Sequence, residues 1–200
     1  MLHPLKASAT AKKPGNPTYI HEQLGQMTAR GFPGEHANPP LPPVEDWHPA
    51  FCGDSNMHIA RDGTWFHQGT PIGRRELVRV FSTLLRKDDD GFMLVTPAEK
   101  LSIRVEDAPF LVVLMEVAGS GRDQDLSFIT NVGDRTIAGA DHPLRFVQDG
   151  DAPIPYVHVR GRLEAKLARP VYYQLIDLAV EEDGVLGVWS CGRFFALEER

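Results

Sequence analysis

Four Asp-Gly pairs, Asp62-Gly63, Asp90-Gly91, Asp149-Gly150 and Asp183-Gly184, cut the chain from Trp47 onward into strand-length pieces. Both residue types tolerate the left-handed backbone of tight hairpins, so this spacing favours short antiparallel strands over long helices. The runs between the turns agree. Phe92 to Thr96 and Phe110 to Val117 are continuous apolar runs, whereas Leu101, Ile103 and Val105 alternate with polar neighbours, as in a sheet with one wet face. Two segments keep helical spacing instead. Arg74 to Lys87 carries Leu77, Val78, Phe81, Leu84 and Leu85 on one face, with Arg86 on the wet side. Arg169 to Val180 carries Pro170 in its first turn and a stripe of Tyr172, Leu175, Ile176 and Ala179. The expected fold class is α+β.

Proline sets the organisation: 9 of the 16 prolines fall in the first 50 residues, and Pro39-Pro40-Leu41-Pro42-Pro43 blocks helix and ladder alike. Residues 1–45 are expected to be a proline-rich tail, with one short amphipathic helix over Thr18 to Arg30 (Ile20, Leu24, Met27). The body divides into an N-terminal half, 46–106, and a C-terminal half, 107–200. At 200 residues, 42% hydrophobic and 24% charged, the chain suits one domain or two small ones sharing a core. A formal charge of −6 without a Lys/Arg run argues against duplex nucleic acid as a partner. No stretch reaches the length of a membrane span and the start lacks a secretory apolar region, so a cytoplasmic protein is expected. Two cysteines, Cys52 and Cys191, fit a reducing compartment and read as small buried side chains.

The two helical segments sit in similar surroundings. Trp65-Phe66-His67, Gly69, a short strand, Arg74 and a helix lead to Asp88-Asp89-Asp90-Gly91 and a strand. Tyr156-Val157-His158, Gly161, Leu163 to Ala165, Arg169 and a helix lead to Glu181-Glu182-Asp183-Gly184 and a strand. This echo points to a duplicated β-β-α-β unit in two related, sheet-rich half-domains, and junctions between such halves are favoured ligand sites.

Catalytic signatures are weak. Gly119-Ser120-Gly121 lacks the third glycine of a dinucleotide turn and the Lys-Ser/Thr of a P-loop, and Ser120 has the wrong flanks for a nucleophile elbow. His48, Cys52, His58 and His67 are spaced too widely for a compact zinc site, so no metal is expected. Glu106-Asp107 are strand neighbours that point to opposite faces, and Asp107 is expected to bond local backbone before Pro109. Arginines are more informative. Arg74 and Arg169 each open a helix, where a cation opposes the dipole and calls for a carboxylate partner or an anionic ligand. Arg160 beside Gly161 joins them as a candidate. His67 and His158 are read as buried or as ligand contacts, Thr130-Asn131 as a base-edge reader or an Asx-turn, and Tyr156 as the aromatic nearest a cleft.

Cys52-Gly53, Asp62 to Gly69, Thr96-Pro97-Ala98-Glu99-Lys100, Val105-Glu106-Asp107-Ala108-Pro109-Phe110, Arg160-Gly161 and Trp189-Ser190-Cys191-Gly192 together resemble a bacterial family of unknown function, DUF1285, over about Trp47 to Phe195. The resemblance implies a duplicated α+β core, a C-terminal half superficially like pleckstrin-homology sheets, and a pocket between the halves for a nucleotide-like ligand. It also adds Thr96 and Lys100 to the candidate ligand contacts, Lys100 as a phosphate contact. The expected function is a regulatory or signalling module that binds a small anionic ligand; no catalytic residue and no cofactor is assigned. Two alternatives stay open: a protein-interaction module using the tail or a sheet edge, and a hydrolase or transferase using His67 with Cys52 or Glu106.

Overall fold

The computed structural model describes residues 41–149 and 152–198; the expected helix over Thr18 to Arg30 lies outside them. The first half runs β1 (Phe51–Ile59), β2 (Trp65–His67), β3 (Thr70–Pro71), α1 (Arg75–Thr83), β4 (Leu85–Asp88), β5 (Gly91–Val95) and β6 (Lys100–Val105). These strands form one six-stranded sheet in the order β3-β2-β1-β6-β5-β4, antiparallel except for the central β1–β6 pair.

The second half repeats that order. β7 (Phe110–Ala118), β8 (Asp125–Thr130), β9 (Arg135–Ile137), β10 (Leu144–Asp149), β11 (Ala152–Arg160) and β12 (Leu163–Leu167) form a second six-stranded sheet, β10-β11-β12-β7-β8-β9. Read from the other edge, each strand is the counterpart six places earlier, and the central pair β7–β12 is again parallel. The β-β-α-β echo is present as well, as β2–β3, α1, β4–β5 and as β11–β12, α2 (Arg169–Ile176), β13 (Val180–Glu182), β14 (Val185–Ser190). The two correspondences differ: the strand order sets β2 against β8 and has no helix between β9 and β10 to match α1, whereas the echo sets β2 against β11 and α1 against α2. In the second copy of the echo the strands after the helix leave the main sheet and form a three-stranded sheet with β15 (Arg193–Ala196).

Both helices are shorter than their spacing predicts. Ser82 Oγ and Thr83 Oγ1 donate to the carbonyls of Arg79 and Val80, back-bonding that competes with the helical ladder, and Leu84 caps the end. Leu85 and Arg86 then pair with Leu94 and Met93 as strand β4, so the apolar stripe continues across a change of structure. The second helix stops at Ile176, and Val180 begins β13.

One apolar cluster passes through both halves. Trp65, stacked on Phe81 of α1 at 6.3 Å, belongs to it, as do Ile59, Phe110, Phe128, Leu175 and Val188. The continuous apolar run of β7 is not buried throughout: after a bulge between Val112 and Leu114, Val113, Leu114 and Val117 are exposed. Cys191 is exposed rather than buried, because it occupies a left-handed turn position at φ 48°; its thiol donates to Asp125 Oδ1 at 3.2 Å.

Candidate functional site

Residues 41–47, the end of the proline-rich stretch, form a strap over the edge of β4. Pro42 and Pro43 have no N–H to donate to a ladder, and Val44 to Asp46 wind instead into a single 3-10 turn. Arg86 holds it. The residue is 7% exposed, and its Nη1 donates to the carbonyls of Val44 and Trp47, each at 2.7 Å. Nε and Nη2 clasp Asp88 at 2.6 and 3.0 Å, and Lys100 Nζ reaches the same carboxylate at 3.2 Å. The Arg86 guanidinium beside Asp88 holds that carboxyl below the usual carboxylate range. Lys100 thus has an internal partner. Thr96 closes its own hairpin: its hydroxyl accepts from Ala98 N and Glu99 N at 3.3 and 3.1 Å.

The junction between the halves uses neighbouring carboxylates in opposite directions. Glu106 Oε2 accepts from the backbone N of Arg61 in the first half at 3.3 Å. Asp107 turns to the second sheet and accepts from Tyr156 Oη at 2.7 Å and Lys166 Nζ at 2.6 Å, rather than bonding local backbone. Both residues lie in the bend past the end of β6 at Val105, so the bend, and not the strand alternation expected of them, parts the two side chains. Burial pushes the Asp107 carboxyl up, but its bonds to Lys166 and Tyr156 outweigh this and leave it lowered. Tyr156 is pushed up to about 12, by burial first and by the bond to Asp107 second. Its ring lies beneath the Arg145 guanidinium at 4.8 Å, and Arg145 is itself paired with Glu164.

The turn from β8 to β9 gathers three nominated residues. Thr130 Oγ1 accepts from Asp134 N at 3.0 Å and shapes the turn. Asn131 bridges the halves: its Oδ1 accepts from Leu111 N at 3.1 Å and its Nδ2 donates to Gly63 O at 3.2 Å. Gly63 sits at φ +80°, and a Cβ there would lie 2.7 Å from Asn131 Nδ2, so this close approach requires glycine. Arg160 reaches from the end of β11 to Asp134 Oδ2 and, at 2.8 Å, to Ser82 O in the first half, with its guanidinium 4.8 Å above the Phe110 ring. Beside Arg160 the halves part around a cavity of about 130 Å³, walled by residues 41–45, Thr83, Leu85, Arg160, Gly161 and Leu163.

Two family models divide the body. Residues 42–108 match "Domain of unknown function (DUF1285), N-terminal domain" and residues 109–197 match "Protein of unknown function (DUF1285), C-terminal domain". The chain belongs to the DUF1285 family. A crystal structure of a DUF1285 family protein from Silicibacter pomeroyi DSS-3 is 52% identical with a TM-score of 0.77, covering 85% of this chain and 92% of that one. Another, from Shewanella baltica OS155, is 29% identical with a TM-score of 0.49, covering 60% of this chain and 90% of that one. No curated protein matches the chain.

In this DUF1285 protein the nominated residues fall into separate groups. Thr130, Asn131 and Arg160 share the β8–β9 turn, Lys100 belongs to the Asp88 group and Tyr156 to the Asp107 group. Arg74 is the exposed N-cap of α1 and Arg169 the exposed first residue of α2; among the described residues neither has a carboxylate in ion-pair contact. His67 is half-buried on β2. His158 is also half-buried, with Nε2 at 2.7 Å from Gly161 O beside the cavity. Among the described residues no group of three His, Cys, Asp or Glu side chains is placed to hold a metal, and no helix is long and apolar enough to cross a membrane. Asp134 and Arg86 escaped sequence reasoning. For Arg86 the missed signal was period-two charge: on a strand, Arg86 and Asp88 share a face.

Proposed function

We propose that this DUF1285 protein is a cytoplasmic regulatory module that takes a small anionic ligand at the junction of its halves. The observation that carries this is the cavity of about 130 Å³ with Arg160 in its wall. The Arg160 guanidinium has five N–H donors and gives one to Asp134 and one to Ser82 O, which leaves donors for a phosphate or carboxylate. Clefts that enclose drug-sized molecules run to roughly 300–1,000 Å³, so the site suits a small acid or the phosphate end of a nucleotide.

A thermal-shift panel of inorganic phosphate, acetate, nucleoside monophosphates, cyclic nucleotides and dinucleotides tests this, with potassium chloride at matched ionic strength as control. A ligand at 100 times its Kd adds about 2.7 kcal/mol of stability. The expected result is a selective shift that disappears in Thr83→Phe, which fills the cavity without altering Arg160. A flat response across the panel overturns the proposal and favours partner capture through the exposed apolar stretch of β7.

A further inference from the structure

The strap that closes one side of the junction cavity is also the segment through which the N-terminal 40 residues join the body. Its attachment is unusual for so short a piece. With proline at 42 and 43 it cannot pair with the edge of β4, and its own hydrogen bonds, Val44 N to Pro42 O at 2.8 Å, Asp46 N to Pro43 O at 3.0 Å and Trp47 N to Val44 O at 3.4 Å, are all internal to the turn. What ties it to the first half is the pair of carbonyl bonds from Arg86, the buried Val44 side chain and, at its far end, Trp47 packed against the core. On the other side it meets the second half at Gly161. The space a Cβ would take there is occupied by Glu45 Oε1, 2.7 Å from the ideal Cβ position. The cavity lies between these two attachments.

A segment held by so few contacts has a low opening free energy compared with a core strand, and a molecule filling the space against its inner side changes that opening directly. We infer that the strap Leu41–Trp47 is a closure over the junction cavity, its opening coupled to occupancy: a filled cavity holds the strap closed, and an open strap empties the cavity. The coupling rests on the cavity being the ligand site. It is reciprocal, so whatever factor ligand binding takes off strap opening, strap opening takes off ligand affinity.

Amide hydrogen exchange of the full chain reads the coupling, at Val44, Asp46 and Trp47, with the amide of Leu126, which donates to buried Ser190 Oγ, as internal reference. Two arms fill the cavity independently. One adds inorganic phosphate, or whichever compound of the panel raises the melting temperature; the other is Thr83→Phe with no additive, with Thr83→Leu as a milder filling if the first variant fails to fold. The expected result is a strap that exchanges about tenfold more slowly in both arms while Leu126 is unchanged. Strap rates within twofold of the empty wild type, in a folded filling variant and with a compound that shifts the melting curve, overturn the coupling but leave the ligand site standing. If no compound shifts the melting curve, the ligand site fails and the coupling that rests on it fails with it, whatever the filling variant does to strap exchange.

Discussion

Arg86 shows how one charge decides the behaviour of a whole segment. Its guanidinium is buried, and Asp88 and two strap carbonyls together replace the water it has lost. Hydrogen bonds from a charged donor are worth about 1.5–3 kcal/mol and Asp88 keeps Lys100, so Arg86→Ala is expected to lower unfolding free energy by about 2 kcal/mol in urea melts. Tyr156 offers a spectroscopic check of the Asp107 group. Its folded value is raised, so the stability it contributes is present below the ordinary phenol value of about 10 and is lost as pH rises through about 12. An ultraviolet titration is expected to show a phenol ionising near 12 that vanishes in Tyr156→Phe. At this scale several residues that the sequence marked as ligand contacts hold partners inside the protein. Lys100, Asn131, Tyr156 and Arg160 were legible as polar residues in marked surroundings. Their partners were not, because Asp88, Gly63, Asp107 and Asp134 are brought to them by chain reversals that no spacing encodes.

Among elements, the hairpins were the most legible, since Asp-Gly turns and two-residue alternation are local. Helix ends were less so: Leu84 and Leu85 satisfy a helical stripe and a buried strand equally well, and only the pairing of Leu85 with Leu94 settles which is used. The β1–β2 turn carries a test of its own. Gly63→Ala places a side chain in left-handed backbone and against Asn131, and is expected to cost about 1–3 kcal/mol. Asn131→Ala gives up bonds to Leu111 N and Gly63 O and is expected to cost about 1 kcal/mol. Part of the Gly63→Ala cost is the collision with the amide, so the double variant is expected to lose less than the sum of the two singles in a thermodynamic cycle.

Over the whole molecule, two sheets with the same strand order share one core. The halves are expected to melt as one unit, and calorimetry should give a single transition whose calorimetric and van't Hoff enthalpies agree; two separated transitions would show that they are independent. The acid limb belongs to this scale too. Asp88 and Asp107 are both held below the ordinary aspartate value of about 3.9, so each contributes stability that is present above that value and is lost as pH falls through its lowered folded value. Urea melts are expected to weaken below about pH 4, and Asp107→Asn to flatten that limb. The sequence announced two related halves but not the shared strand order, because the central parallel pairs join segments separated by nearly the whole length of each half.

Those parallel pairs also set a timetable during translation. Ile59 meets Val105 across the first sheet, and Phe110 meets Ala165 across the second. Chains emerge from the ribosome amino end first, and long-range pairing waits for its later strand. The first sheet can complete its hydrogen bonds once Val105 is clear of the exit tunnel, while Tyr156 and Lys166, the partners of Asp107, are still unmade. For the time it takes to synthesise some sixty further residues, from Val105 to Leu167, the cell holds a finished sheet with half a core exposed. That interval is when a chaperone has most to gain from binding this chain.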